Sequence, residues 1–74
     1  MKRSLSTIAR DIESKWANVN YAARPYLDAM HSLNDINDMY YCDTARSIVL
    51  YFLGNARSFR GEDAKRLKAE LKAL

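Results

Sequence analysis

Four side chains that can bind a metal or exchange protons follow one another at helical spacing in the middle of the 74-residue chain. At steps of four, three and four residues they are His31, Asp35, Asp38 and Cys42. On one continuous helix they would share a face, and each is a known ligand of divalent metals. However, no Cys-x-x-Cys or His-x-x-x-His pair supports them, and the two aspartates belong to an Asn/Asp-rich segment typical of solvated surface. We therefore expect no metal site.

Catalysis is also a poor interpretation of these residues. Cys42 with His31 has the chemistry of a nucleophile and its base, but the chain has only two glycines and no glycine-rich turn that would form an oxyanion hole. An EF-hand is excluded because the loop glycine and the final glutamate are absent. We expect a protein that is not an enzyme and binds no cofactor, with Cys42 as a small, partly buried side chain at a helix junction.

Aromatic and basic residues meet most densely at Arg57-Ser58-Phe59-Arg60-Gly61. Aromatic side chains beside arginines are common binding anchors. One interpretation is that Phe59 closes the end of a helical bundle while the arginines are solvated; the other is a contact loop that the next helix extends. The second interpretation predicts a partner-binding site of six residues: Arg57, Phe59, Arg60, Lys65, Arg66 and Tyr41.

The element expected to organise the chain is a central helix around Ile48–Leu53, the only run of six consecutive large apolar side chains. Its apolar face comprises Ala45, Ile48, Val49, Phe52, Leu53 and Ala56. Leu50 and Tyr51 fall on the opposite side, so we predict that this helix is covered nearly all round. Asp43 precedes it and is the predicted N-cap.

Three further helices are predicted from apolar spacing and capping residues. The first runs from about Leu5 to Ala17, with Ser4 or Ser6 as its cap. The second carries Pro25 in its first turn and continues to about Tyr40, although four weak helix formers would allow a break: Asn34, Asp35, Asn37 and Asp38. Tyr41-Cys42 is then a very short connection.

The last helix is predicted from about Glu62 to Ala73, with ion pairs of Arg66 to Glu62 and to Glu70. With only two glycines and one proline, the sequence has few residues that favour the turns of β-hairpins. The expected fold is therefore all-α, a small bundle of four helices with short connections that forms one domain over residues 1–74. Because the helices at both ends have narrow apolar stripes, Trp16, Tyr21 and Phe59 are expected to remain exposed.

The net charge of +3 is unevenly distributed. Residues 1–40 carry five charges of each sign, whereas residues 41–74 carry seven basic and four acidic side chains. This excess allows nucleic-acid binding through the C-terminal part, but Glu62 and Asp63 at the start of the last helix would repel phosphate. A single cysteine fits a reducing compartment, and the sequence contains neither a signal peptide nor an apolar run of membrane-spanning length. We expect a cytoplasmic protein.

The C-terminal half carries a family resemblance. It rests on Asp43-x-Ala45-x-Ser47-Ile48-Val49-Leu50-Tyr51-Phe52-Leu53-x-Asn55-Ala56, then Phe59-Arg60-Gly61, then Lys68-Ala69-Glu70-Leu71-Lys72, and more loosely on Tyr21-Ala22-Ala23 with Pro25-Tyr26. This pattern resembles small, uncharacterised proteins of tailed bacteriophages, which have a glycine in the turn where Tyr41-Cys42 stands here. The resemblance implies a phage protein that acts in the host cytoplasm and supplies no catalytic residues.

The predicted function is that of a small phage-type helical protein that docks on a host or phage macromolecule as an inhibitor or regulator. The alternative is a nucleic-acid-associated accessory protein that uses the basic C-terminal face. A third interpretation is an assembly factor whose main partner is a second copy of itself, as a homodimer.

Overall fold

A computed structural model describes residues 2–74. Within that range the elements are, in chain order, α1 (Leu5–Lys15), α2 (Arg24–Met30), β1 (Met39–Tyr40), β2 (Asp43–Thr44), α3 (Ala45–Gly54) and α4 (Glu62–Lys72). The prediction of four helices is confirmed for these residues. The prediction of an all-α fold is wrong in one respect, because β1 and β2 form an antiparallel hairpin that pairs Met39 with Thr44 and Tyr40 with Asp43.

Helix α1 begins where the sequence predicts. The Ser4 hydroxyl oxygen accepts a hydrogen bond from the Thr7 amide at 3.2 Å, so Ser4 is the N-cap. A cap of this kind satisfies one of the amide donors that the first helical turn leaves unpaired. The helix ends at Lys15, two residues before the predicted end at Ala17.

The predicted second helix is too long: α2 ends at Met30, not near Tyr40. The Asp38 carboxylate accepts hydrogen bonds from the amides of Asn34 and Asp35, each at 3.0 Å. Bonds of this kind between a short polar side chain and the backbone compete with helix formation. The Asn/Asp-rich segment is consequently a loop, and the chain reaches α3 through the hairpin.

Two predictions about the central helix are also wrong. Its N-cap is Thr44, whose hydroxyl oxygen accepts from the Ser47 amide at 3.1 Å, and not Asp43, the residue before it in β2. The outer side of α3 is uncovered, because Leu50 is 62% exposed and Tyr51 is 53% exposed. The opposite side of α3 packs against α2, and α1 packs against α2 and α4.

All four helices contribute to one hydrophobic core. Its largest fully buried side chains are Leu5, Ile8, Ile12, Leu27, Met30, Phe52 and Leu67. The predicted apolar positions Ile48, Val49 and Phe52 of the central helix are buried in it. Among the helices within residues 2–74, none has the length and apolar character needed to cross a membrane.

An aromatic stack joins the end of α1 to the segment before α4. The rings of Trp16 and Phe59 are stacked, with centroids 5.0 Å apart, and Trp16 meets Phe52 edge-on at 6.1 Å. Trp16 is 6% exposed and Phe59 2%. The expectation that both remain exposed is therefore wrong, and the interpretation of Phe59 as the side chain that closes the end of the bundle is confirmed. Tyr21, by contrast, is exposed as expected.

Candidate functional site

The tip of the hairpin presents an exposed tyrosine in an unusual backbone conformation. Tyr41 has a φ of 57° and is 86% exposed. The left-handed region costs a non-glycine residue about 1–2 kcal/mol, because its Cβ approaches the backbone. The ring of Tyr41 contacts Tyr40 edge-on, with centroids 4.8 Å apart. Cys42, the other residue of the turn, is exposed and does not lie partly buried at a helix junction as predicted.

Helix α3 directly follows this hairpin in the chain, and one side of it is exposed. Leu50 and Tyr51 point away from the core, and the Tyr51 ring packs on Tyr26 of α2 with centroids 5.4 Å apart. Within residues 2–74 five large apolar side chains are exposed, and four of them come from the hairpin and α3. These four residues, which we call the hairpin–α3 surface, are Met39, Tyr41, Leu50 and Tyr51.

The predicted contact loop is only partly available to a partner. Arg57 and Arg60 are exposed, and the Arg60 Nε donates to the Arg57 carbonyl at 3.3 Å. The Phe59 ring is buried and so presents no aromatic anchor to solvent. Lys65 is exposed on α4. Tyr41 belongs to the hairpin and does not line the cleft that Arg60 and Lys65 share.

Arg66, another predicted contact residue, is drawn into ion pairs within the fold. Its guanidinium lies 3.6 Å from the Asp11 carboxylate of α1 and 3.4 Å from that of Asp63. Among residues 2–74, Arg66 does not form the predicted ion pairs with Glu62 and Glu70. The Glu70 carboxylate instead accepts a hydrogen bond from Arg3 at 2.8 Å. Arg66 therefore belongs to the charge network between α1 and α4.

A cleft of about 340 Å³ opens where the loop enters α4. Its lining residues are Phe59, Arg60, Gly61, Glu62, Ala64, Lys65 and Lys68. Lys68 is a functional candidate that the sequence-based site missed. Its Nζ donates to the Phe59 carbonyl at 2.7 Å and lies 5.8 Å from the centre of the Phe59 ring. The three- and four-residue steps from Lys65 to Lys68 and Lys72 place all three on one side of a helix, and this signal was available in the sequence.

The basic side chains around this α4 cleft are not neutralised by carboxylates. In the described chain, five basic residues of the C-terminal region have no acidic oxygen within 4.0 Å: Arg57, Arg60, Lys65, Lys68 and Lys72. Partial burial lowers the pKa of Lys68, and the positive charges of Lys72 and Arg60 lower it further. The lining of the cleft thus carries three basic residues and one carboxylate, that of Glu62.

The residues first considered for metal binding are dispersed because α2 ends early. His31 directly follows α2, where its Nε2 lies 3.1 Å from Glu13, and Cys42 lies in the hairpin turn. Within residues 2–74 no three potential metal ligands gather. Arg24 donates to Glu13 at 2.8 Å, and this hydrogen bond is the main reason that the pKa of Glu13 is lowered to about 2.

Two surfaces therefore offer distinct chemistry. The hairpin–α3 surface offers apolar and aromatic contact area, whereas the α4 cleft offers hydrogen-bond donors and positive charge. The first suits a protein partner, and the second suits an anion. A comparison with protein-family models, curated proteins and solved structures finds no match to this chain.

Proposed function

We propose that this protein is a small, non-catalytic binding protein that docks on another protein through the hairpin–α3 surface and thereby inhibits or regulates it. The observation that carries the proposal is the concentration of four of the five exposed large apolar side chains in the hairpin and the helix that follows it. The six-residue contact site predicted from sequence contributes Tyr41 to this surface.

The energetics of these side chains favour a role outside the fold. Burial of a large apolar side chain is worth roughly 1.5–3 kcal/mol, and Leu50 and Tyr51 forgo much of it by remaining more than half exposed. Tyr41 also adopts a backbone conformation that glycine would adopt without strain. Aromatic side chains are enriched in interface cores and among the residues that dominate binding energy.

The resemblance to tailed-phage proteins supports the biological setting of the proposal. The partner is then a protein of the bacterial host or of the phage, and the site of action is the host cytoplasm. The departure from the family pattern falls in the turn at Tyr41-Cys42, where the phage proteins that this chain resembles have a glycine. A strained, exposed tyrosine in this turn supports a contact that is specific to this protein.

Partner capture with matched variants tests the proposal. The immobilised protein, its Tyr41→Gly variant and its Leu50→Ser variant are exposed to extracts of phage-infected bacterial cells, and bound proteins are identified by mass spectrometry. Tyr21→Ser is the control, because Tyr21 is 91% exposed and lies outside the hairpin–α3 surface. We expect a protein that binds the parent and the control, and that is lost with both surface variants.

Two results would contradict the proposed function. One is a captured protein whose binding survives both surface variants. The other is the absence of any protein bound by the parent and control above the level of an empty support. Circular dichroism of each variant shows whether a loss of capture comes from a loss of folding.

A nucleic-acid-associated role is the second candidate, and one observation favours it. Three lysines without carboxylate partners in the described chain lie on one side of α4, and Arg60 precedes them. Binding through phosphate contacts weakens steeply with salt. Mobility-shift titrations with duplex and single-stranded DNA at about 50 mM and about 200 mM salt test it. Absence of binding at the lower salt concentration would remove this candidate.

A further inference from the structure

We propose that the α4 cleft binds a phosphate group. Arg60, Lys65 and Lys68 all line it, so three basic residues border one concave region of about 340 Å³. One water molecule needs only about 10–15 Å³ of such space, so the cleft has room for a phosphate and several bound waters. This inference goes beyond the docking function and depends on other residues, so either can fail without the other.

The arrangement of donors suits an anion with several oxygens. The hydrogen bond from Lys68 to the Phe59 carbonyl fixes the ammonium group at the wall and leaves two of its three N–H donors for a ligand. The Arg60 guanidinium keeps all but one of its donors, since only its Nε is bonded, to the Arg57 carbonyl. A guanidinium can present two parallel donors to a phosphate. A carboxylate has fewer oxygens and less charge than a phosphate, and so satisfies fewer of these donors.

Electrostatic repulsion around Lys68 gives a second reason. Lys68 is half-buried, and besides this burial the charges of Lys72 and Arg60 lower its pKa. Like charges held together destabilise one another until a counter-charge binds between them. A phosphate in the cleft supplies that counter-charge, and its binding is expected to raise the pKa of Lys68.

One acidic residue of the lining acts against the ligand. Glu62 is exposed and has no basic partner within 4.0 Å in the part of the chain that the structure describes. Its negative charge weakens the attraction of a phosphate for Arg60 and Lys65. Replacing it with glutamine removes the charge and preserves the shape of the side chain, so this variant is expected to bind more tightly.

A phosphate titration followed by NMR tests the proposal. Inorganic phosphate is added to the ¹⁵N-labelled protein at constant ionic strength, and the amide signals of residues 60–65 are measured. We expect saturable shifts in the parent protein. Arg60→Gln and Lys65→Gln should each lower the affinity about tenfold, the loss expected for one charge-assisted hydrogen bond.

The control is Arg10→Gln, which removes the same charge from an exposed arginine of α1 that has no carboxylate partner among residues 2–74. Its affinity should stay within about twofold of the parent. Glu62→Gln should bind phosphate more tightly than the parent. Acetate at the same ionic strength should produce weaker shifts, and the Lys68 Nζ titration should move to higher pH when phosphate is bound.

A second arm distinguishes the source of the phosphate. A single-stranded oligonucleotide that shifts the same amides and competes with inorganic phosphate identifies the ligand as a nucleic-acid backbone. An oligonucleotide without effect identifies a free phosphate or a small phosphorylated compound. Unsaturable shifts, equal shifts with acetate, or equal affinities of Arg60→Gln and Arg10→Gln would each overturn the proposal.

Discussion

Phe59 shows how a residue that sequence patterns place in a surface loop becomes part of the core. Its ring stacks on Trp16, and its carbonyl oxygen accepts a hydrogen bond from the Lys68 ammonium group. Only 2% of the residue is exposed. The side chain therefore stabilises the junction of α1, the 55–61 segment and α4. The arginine that follows, Arg60, is exposed and lines the cleft.

The first prediction follows from this burial. Phe59→Ala should lower the free energy of unfolding by about 3–5 kcal/mol, because it removes buried apolar area and leaves a cavity beside Trp16. Chemical denaturation measures the effect. Arg60→Ala is the neighbouring control and should change stability by no more than about 0.5 kcal/mol. Equal stability of Phe59→Ala and the parent would contradict the buried placement of the ring.

A second prediction concerns strain at Tyr41. Tyr41→Gly relieves about 1–2 kcal/mol of left-handed strain, but it loses the edge contact with Tyr40, about 0.5–1.5 kcal/mol, and adds unfolded-state entropy worth about 0.5–1 kcal/mol. These terms nearly cancel, so denaturation should give a stability within about 1 kcal/mol of the parent. A Tyr41→Val variant, which is β-branched, should be less stable than Tyr41→Gly; the reverse order would contradict the strained conformation.

At the scale of elements, the start of α3 provides a direct test of the cap. Thr44→Ala removes the oxygen that accepts from the Ser47 amide at 3.1 Å, and should cost about 0.5–2 kcal/mol. Asp43→Ala is the matched control one residue earlier and should cost less, since its side chain does not cap the helix. Thermal denaturation of both variants decides between the two caps.

The elements differ in how far their sequences determine them. Helices α1 and α4 combine clear apolar spacing with clear end signals, and both were predicted within two residues of their observed ends. The end of α2 was missed because apolar spacing continues past Met30, whereas the decisive factor is the set of hydrogen bonds from the 34–35 amides to Asp38. The two-residue strands carry too few residues for an alternating pattern.

The candidate site was predictable only in part for a similar reason. The exposure of Arg57, Arg60 and Lys65 follows from their charge, but the burial of Phe59 depends on the position of Trp16 in another element. The exposure of Leu50 and Tyr51 depends on which neighbours pack against α3. Contacts between distant parts of a chain are not encoded in local spacing.

At the scale of the whole molecule, two carboxylates hold separate parts of the chain together, and a third closes a local turn. Glu13 of α1 accepts from Arg24 of α2, and Glu70 of α4 accepts from Arg3. The hydrogen bond from Arg24 lowers the pKa of Glu13 to about 2, and the bond from Arg3 lowers the pKa of Glu70. The amides of the 34–35 segment likewise lower the pKa of Asp38.

These shifts predict acid sensitivity. The folded-state pKa of each group lies below its unfolded value, so the stabilisation is lost as the pH falls through the folded-state pKa. For Glu13 it is present above about pH 4.5, the ordinary value for glutamate, and is lost as the pH falls toward 2. His31 also contacts Glu13, and Asp28 also contacts its partner Arg24. Melting temperatures from pH 6 to pH 2 should fall. Glu13→Gln should show a shallower fall with a small loss at pH 6, since exposed ion pairs contribute only about 0–1 kcal/mol; an unchanged pH profile in this variant would contradict the prediction.

The stacked pair of Trp16 and Phe59 has a spectroscopic consequence. Trp16 is the single tryptophan of the chain and is buried in the core, whereas three of the five tyrosines are exposed. Selective excitation at long wavelength therefore reports on one place, the junction where the 55–61 segment closes over the end of α1. A red shift of the emission marks the moment at which solvent enters that junction. The emission of Trp16, without an added dye, can therefore follow the opening of this end of the molecule over time, separately from the loss of helical structure.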